Sequence, residues 1–234
     1  MRAAPPTVIS FDLDGTLVDT AGEIAEAANR TLADFGVPPQ PLELISGFIG
    51  AGTRTMMLRT LAHVLLERPE LADTLPPEEV LKRLEHHYSE TAGTTGRPYP
   101  GCHDALQSLR LAGVRLACLT NKEERFARRV LEKTALAEYF DLVVGGDTLP
   151  CKKPDRATVF HVLDTLGGER SHAAHVGDSR TDVETAHNAG IAAWAVPYGY
   201  NGGEPIEAAG PNWIFATLTD VAEYVLAGRV AWAA

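Results

Sequence analysis

Short apolar runs recur along the chain at Val8–Leu13, Val114–Thr120, Leu142–Val144, Ala173–Val176, Ala192–Val196 and Trp213–Phe215. Runs of this length, with little polar alternation, predict strands buried on both faces. From residue 102 onward they alternate with segments of helical spacing: Cys102–Leu111, Glu124–Thr134, Asp155–Leu166, Thr181–Ala189 and Thr219–Leu226. Strands and helices in alternation predict an α/β fold, a Rossmann-like parallel sheet with helices on both faces. Residues 21–95 break the pattern. Glu23–Phe35, Thr53–Leu66 and Glu78–Glu90 carry helical spacing, Pro-rich breaks separate them, and no convincing strand intervenes. The expected organisation is a core of residues 1–20 and 96–234 with a small all-helical domain, residues 21–95, inserted after the first strand. Its exit, Gly93-Thr94-Thr95-Gly96 followed by Pro98, Pro100 and Gly101, reads as a hinge that would let the insert move over the strand ends.

The first strand ends Phe11-Asp12-Leu13-Asp14-Gly15-Thr16. Asp12 and Asp14 would share a face if the strand ran on; a break at Gly15 lets the two carboxylates converge from different directions. Gly15 accepts backbone angles that a Cβ resists, and its N–H can turn toward an anion. Taken alone, Asp-x-Asp-Gly also fits a plain turn at a strand end. Three more polar segments reach the same edge, where α/β sheets form their ligand crevice. These are Thr120-Asn121-Lys122, the loop 145–154 ending in Lys152-Lys153-Pro154, and Gly177-Asp178-Ser179-Arg180-Thr181-Asp182. Asp12, Asp14, Asp178 and Asp182 in one crevice would repel severely, and carboxylates a few ångströms apart do not all stay ionised without a cation. Oxygen-only donors select a hard divalent ion, and with a phosphorylated substrate Mg2+ is the fitting choice.

Composition excludes more than it identifies. Hydrophobic residues at 45% and charged residues at 22% place the chain among ordinary globular proteins. A net charge of −10 argues against binding a phosphate backbone, which needs a basic face. The three cysteines, Cys102, Cys118 and Cys151, lack metal-like spacing and fit a reducing cytosol, with Cys118 expected in the core. The start of the chain, Met1 to Pro6, leads into the first strand without an apolar signal segment, and no apolar run approaches the ~20 residues that span a bilayer. A cytoplasmic protein is expected, a monomer or homodimer with no membrane or nucleic-acid partner. Among the histidines, His63, His86, His87, His161 and His187 are expected on helix faces with no ligand-like grouping, and His175 as a hydrogen-bonded core residue.

In their order these motifs resemble those of the haloacid dehalogenase superfamily over nearly the whole chain, and within it the phosphoglycolate phosphatases. The features that carry the resemblance are Gly15-Thr16-Leu17-Val18-Asp19-Thr20, Thr120-Asn121-Lys122, Gly145-Gly146-Asp147-Thr148-Leu149-Pro150 ahead of Lys152-Lys153-Pro154, the Asp178–Asp182 motif, and Tyr198-Gly199-Tyr200-Asn201. Asp155-Arg156 departs from the family pattern, in which a second proline often follows, but leaves the lysine in place. The helical insert lies where that family carries a small cap domain. The resemblance implies a Mg2+-dependent phosphatase of a small phosphorylated metabolite, 2-phosphoglycolate foremost. It implies that Asp12 attacks phosphorus and that Asp14 acts as acid and then base. It implies that Asp12, the Asp14 carbonyl and Asp178 hold Mg2+. Thr120, Asn121 and Gly15 would bind the transferring oxygens, Lys153 would offset their charge, and Asp182 would orient Lys153 or a metal-bound water. Lys152 is expected as a solvated neighbour. In the cap, Gly50, Gly52 and Arg54 open a helix and either meet a substrate carboxylate or form an ordinary turn with a surface arginine. Tyr198–Asn201 either borders the site or is a flexible loop.

Rival functions share much of this pattern. Phosphatases of sugar phosphates, nucleotides or pyrophosphate would differ only in the cap. Related mutases carry a histidine at the position of Ile24, and dehalogenases and phosphonate-cleaving enzymes lack a carboxylate at that of Asp14. A non-catalytic binding module would be expected to lose Asp12 or Lys153.

Overall fold

The computed structural model describes residues 6–232. Met1–Pro5, read above as lacking an apolar leader, and the Trp232 side chain lie outside what it describes. In chain order the strands are β1 (Val8–Phe11), β2 (Val18–Asp19), β3 (Arg97–Pro98), β4 (Arg115–Leu119), β5 (Leu142–Val144), β6 (Ala173–Gly177), β7 (Ala192–Ala195) and β8 (Trp213–Ile214). The helices are α1 (Ala21–Asp34), α2 (Leu42–Ser46), α3 (Thr53–Glu67), α4 (Pro77–Thr91), α5 (Cys102–Leu111), α6 (Glu124–Lys133), α7 (Ala157–Leu166), α8 (Arg180–Ala189) and α9 (Leu218–Trp232).

Six strands form one parallel sheet in the order β5-β4-β1-β6-β7-β8. In β5, β4, β1, β6 and β7 the side chains alternate between two largely buried faces, while Trp213 and Ile214 of the edge strand β8 stay exposed. Ile9, Phe11, Leu116, Cys118 and Val176 enter an apolar cluster with α5, α6 and α9. Val8, Ala117, Leu119, Ala173 and Ala193 enter another with α7 and α8. A strand covered on both sides has no polar face to show, which is why these segments read as continuous apolar runs. β1 lies between β4 and β6, so the carboxyl ends of all three open side by side.

Helices α1, α3 and α4 gather around a third cluster that includes Ile24, Leu32, Met56, Leu61, Leu84 and Tyr88, joined from the sheet side by Phe126 of α6. At the base of these helices β2 and β3 pair antiparallel, Val18 opposite Pro98 and Asp19 opposite Arg97. The buried Glu23 carboxylate accepts the N–H groups of Gly93, Thr95 and Gly96 at 3.0, 3.4 and 3.0 Å. The glycine-rich exit, open in composition, is thus fastened to the first turn of α1. Three elements, α2, β2 and β3, escaped the sequence pattern because a five-residue helix and two-residue strands hold no readable period. α9 continues past the expected end at Leu226, since Gly228 weakens a helix by roughly 1 kcal/mol without terminating it.

Candidate active site

Asp12 follows directly on β1 and keeps a ladder bond, its N–H donating to Val176 O at 2.9 Å. Its carboxylate is buried, with Lys153 Nζ 2.7 Å from Oδ1. The same ammonium donates to Asp182 Oδ1 at 2.6 Å. Asp182 sits at the third position of α8 and reaches back over the helix start, accepting Ser179 N–H at 3.1 Å and Ser179 Oγ at 2.6 Å. One carboxylate therefore caps a helix and holds the lysine. Behind it, His175 Nε2 lies 3.2 Å from Asp182 Oδ1, and its Nδ1 lies 2.8 Å from Ser10 Oγ. His175 is the hydrogen-bonded core residue that its place in β6 suggests.

Asp178 accepts Thr16 Oγ1 and the Tyr200 N–H, each at 2.6 Å. The Tyr198–Asn201 segment therefore borders the carboxylates. Gly15 has φ +89°, and a Cβ there would fall 2.5 Å from Asp178 Oδ2, so only glycine lets β1 and β6 deliver their aspartates this closely.

Electrostatics separate these carboxyls. Burial pushes Asp12 up to about 6, against the pull of Lys153 and with Asp182 and Asp14 adding to the rise. Burial, with Asp182 and Asp12 nearby, lifts Asp178 well above the usual carboxylate range. Burial also opposes ionisation of Asp182, but Lys153 and His175 outweigh it and hold that carboxyl well below its ordinary value. Burial works against the charge on Lys153, yet Asp12 and Asp182 hold the ammonium above its usual range. Burial lowers His175.

Asp12, Asp178 and Asp182 each present an oxygen within 4.8 Å of the others. Lys153 approaches Asp12 Oδ1 off the line of a good hydrogen bond, which leaves that buried oxygen without a directed donor. An oxygen-only set with an orphaned acceptor and an excess of negative charge fits a hard divalent cation. His86, His87 and Glu90 on α4 also bring ligand atoms within 4.8 Å of one another, a grouping the sequence did not suggest. There His87 already pairs with Asp34 at 2.9 Å and Glu90 with Arg30 at 3.3 Å.

Asp14 stands apart from the Lys153 cluster. Its Oδ1 accepts Thr20 Oγ1 at 2.6 Å and the ammonium of Lys122. Lys122 is wholly buried; desolvation works against its charge, but Asp14 and Tyr88 hold the ammonium well above its ordinary value. Nothing in the sequence pattern assigns this lysine a role of its own, and the available signal is its position two residues after Thr120, which follows β4. Asp12, Asp14, Thr120, Asn121 and Lys122 line a narrow cleft, walled from the helical side by Ile24, Ile49, Met56, Gly50, Gly52 and Thr53.

That segment lies directly on the sheet motifs. Asn121 Nδ2 donates to Gly50 O at 3.0 Å and to Lys153 O at 3.1 Å. Gly52 has φ +91°, and a Cβ there would fall 2.8 Å from Asn121 O. Thr53 Oγ1 lies 2.8 Å from each oxygen of Glu123. Lys152 is exposed, as expected of a solvated neighbour, and also donates to Ala51 O at 2.7 Å. One expectation for this segment needs correction. Arg54, expected near the substrate, pairs with Glu78 at 2.9 Å on the outside and lines a different cavity. A helix turns ~100° per residue, so with Thr53 facing Glu123 its neighbour points away.

The sequence profile of the haloacid dehalogenase-like hydrolases matches residues 9–196. The chain belongs to that family. This haloacid dehalogenase-like hydrolase is 37% identical over 230 residues to the plasmid phosphoglycolate phosphatase of Cupriavidus necator, covering 98% of the chain and 97% of the relative. It is 38% identical over 213 residues to a phosphoglycolate phosphatase of Pseudomonas putida, covering 91% of the chain and 77% of the relative. Among solved structures, one described as a predicted phosphoglycolate phosphatase from Haemophilus somnus superposes with TM-score 0.87 at 29% identity, over 93% of this chain and 97% of that one.

Proposed function

We propose that this hydrolase is a Mg2+-dependent phosphatase that splits 2-phosphoglycolate into glycolate and phosphate. What supports this reading above all is Asp12: a buried carboxylate with an undonated oxygen, beside Lys153, at the wall of the cleft between sheet edge and helical insert. The names of the relatives point the same way. Asp12 attacks phosphorus, an aspartyl-phosphate forms, and the ester P–O bond breaks as Asp14 gives its proton to the departing oxygen. Asp14 then takes a proton from the water that attacks the same phosphorus, and phosphate leaves with the Asp12 carboxylate restored. Lys153 offsets the charge of the transferring oxygens, which Thr120 and Asn121 hold in place; the Gly15 N–H, expected to join them, donates instead to Val18 O at 2.9 Å. Asp182 keeps Lys153 turned toward Asp12. Asp12, Asp178 and the Asp14 carbonyl would hold Mg2+, which when bound supplies positive charge to the phosphoryl oxygens.

In this reading residues 21–95 are a cap over a core of residues 1–20 and 96–234, with Gly50 and Gly52 letting the cap backbone lie against Asn121. A phosphatase of another small phosphate stands second, and a mutase falls behind both, because Ile24 lines the cleft and carries no proton-transferring group. No described helix is long and apolar enough to cross a membrane, and Cys102, Cys118 and Cys151 are free, which suits the cytoplasm. The test is initial phosphate release from 2-phosphoglycolate, sugar phosphates, nucleotides and pyrophosphate, with and without Mg2+. Highest kcat/KM on 2-phosphoglycolate is expected; preference for a sugar phosphate or nucleotide overturns the substrate, and no release from any ester overturns the phosphatase.

A further inference from the structure

Resting on the phosphatase reading above, we infer that Lys122 reads the substrate carboxylate: its ammonium, fixed between Asp14 and the face of Tyr88, meets a second anionic group carried beside the phosphate. Lys122 is the only cation among the described residues lining the cleft, where Asp12 and Asp14 are both acidic. An ester that brings a phosphate and a carboxylate into this space needs positive charge beyond the phosphate subsite. Arg54, the residue first expected to provide it, is turned outward onto Glu78.

The geometry suits a short substrate. Lys122 is two residues from Thr120, a chain separation of at most about 7 Å, so phosphate and carboxylate subsites built on the two residues suit a tail of very few atoms. An ammonium has three donors. Asp14 takes one, the Tyr88 ring lies 5.4 Å from Nζ, and a donor remains for a ligand oxygen. The surroundings are dry: the Lys122 side chain is fully buried, and Ile24, Ile49 and Met56 wall the cleft from the helical side. In such a setting an ammonium–carboxylate contact is stronger than in water, and the apolar wall offers no partner for sugar hydroxyls. Tyr88 belongs to α4, and its hydroxyl is buried without a hydrogen-bond partner. The carboxylate subsite is therefore built from both the sheet edge and the helical insert, which makes tail recognition depend on the two being in contact.

The experiment compares kcat/KM for 2-phosphoglycolate with that for its neutral carboxamide counterpart, using the full-length Mg2+-loaded enzyme. Wild type is expected to prefer the carboxylate at least tenfold. In Lys122→Met both rates fall, because Asp14 loses a partner, but the ratio between the substrates falls at least tenfold, mostly through KM for the acid. Lys122→Arg, which keeps the charge, is expected to retain a ratio above that of Lys122→Met. Equal loss on both substrates in Lys122→Met, with the ratio intact, would reduce Lys122 to a positioning residue for Asp14 and overturn the inference. Equal use of the two esters by wild type overturns it without any variant, so a poorly folded mutant cannot shelter it. Absence of hydrolysis of either ester by wild type removes the 2-phosphoglycolate reading and this inference with it, whereas the phosphatase reading falls only if no ester of the wider panel is hydrolysed.

Discussion

Asp12 and Asp182 are both buried against the same ammonium, yet burial pushes one carboxyl up to about 6 while the other is held well below its ordinary value. The difference lies in the donors. Asp182 receives Lys153, Ser179 N–H and Ser179 Oγ, with His175 alongside, whereas Asp12 Oδ1 has only an off-line lysine and two acidic neighbours. A carboxylate so poorly solvated is a strong nucleophile once a cation keeps it ionised. Replacing it by its near-isosteric amide, Asp12→Asn, is expected to cut kcat by on the order of 10³-fold or more while the circular dichroism spectrum stays native. A substantial remaining rate in the purified variant would remove the covalent step. At Arg54 the expectation is the reverse of the one its sequence position suggests. Its ion pair with Glu78 is exposed, and such pairs contribute about 0–1 kcal/mol. Arg54→Ala is therefore expected to leave kcat/KM for 2-phosphoglycolate within about threefold of wild type; a tenfold loss would return the arginine to the substrate.

Elements are legible in a sequence when their residues repeat a pattern long enough to count. The six sheet strands were, to within about two residues at each end, because most of their positions are apolar and, apart from the edge strand β8, mostly buried. The aspartates at the ends of β1 and β6 were legible for a related reason: charged side chains closing a buried strand have no structural use there, so they mark the crevice. Lys122 was not legible, since a lysine beside a motif is nearly always solvated and only the packed structure turns it inward onto Asp14. Contacts between elements were equally hidden, above all the seating of Gly50–Thr53 on Asn121 and Glu123. That seating is testable at Gly52, where φ is +91° and the site of a Cβ lies 2.8 Å from Asn121 O. Gly52→Ala adds backbone strain of order 1–3 kcal/mol and a clash that only separation of the two segments relieves. A higher KM and lower kcat for 2-phosphoglycolate are expected; unchanged kinetics and an unchanged melting temperature would mean that the segment does not have to sit against Asn121 for turnover.

For the molecule as a whole, the buried carboxylates tie stability to pH and to the metal together. A carboxyl whose proton is held more tightly in the fold stabilises the protein below its unfolded pKa, and that stabilisation is lost as pH rises through the folded value. For Asp12 the loss spans the interval from its ordinary value, 3.8, to about 6, and Asp178 is shifted in the same direction. Asp182 behaves oppositely: its contribution is present above the ordinary carboxylate range and fails only as pH falls below it, so it adds little slope above about pH 5. A divalent cation binds the ionised carboxylates and competes with their protons. Mg2+ bound only to the folded state at 100 times its dissociation constant adds about 2.7 kcal/mol of stability. The rise in melting temperature between chelator and saturating Mg2+ is therefore expected to be larger near pH 7.5 than near pH 5, and Asp12→Asn is expected to flatten that difference. Chelation should also abolish turnover. Ca2+ should occupy the carboxylates, stabilise the fold and inhibit, because it takes more oxygens at longer distances, about 2.3–2.6 Å, and would draw the attacking oxygen of Asp12 into its shell. A metal-induced rise that is equal at both pH values, or larger at the lower one, would separate the cation from Asp12 and Asp178, and full activity in chelator would remove it from the reaction.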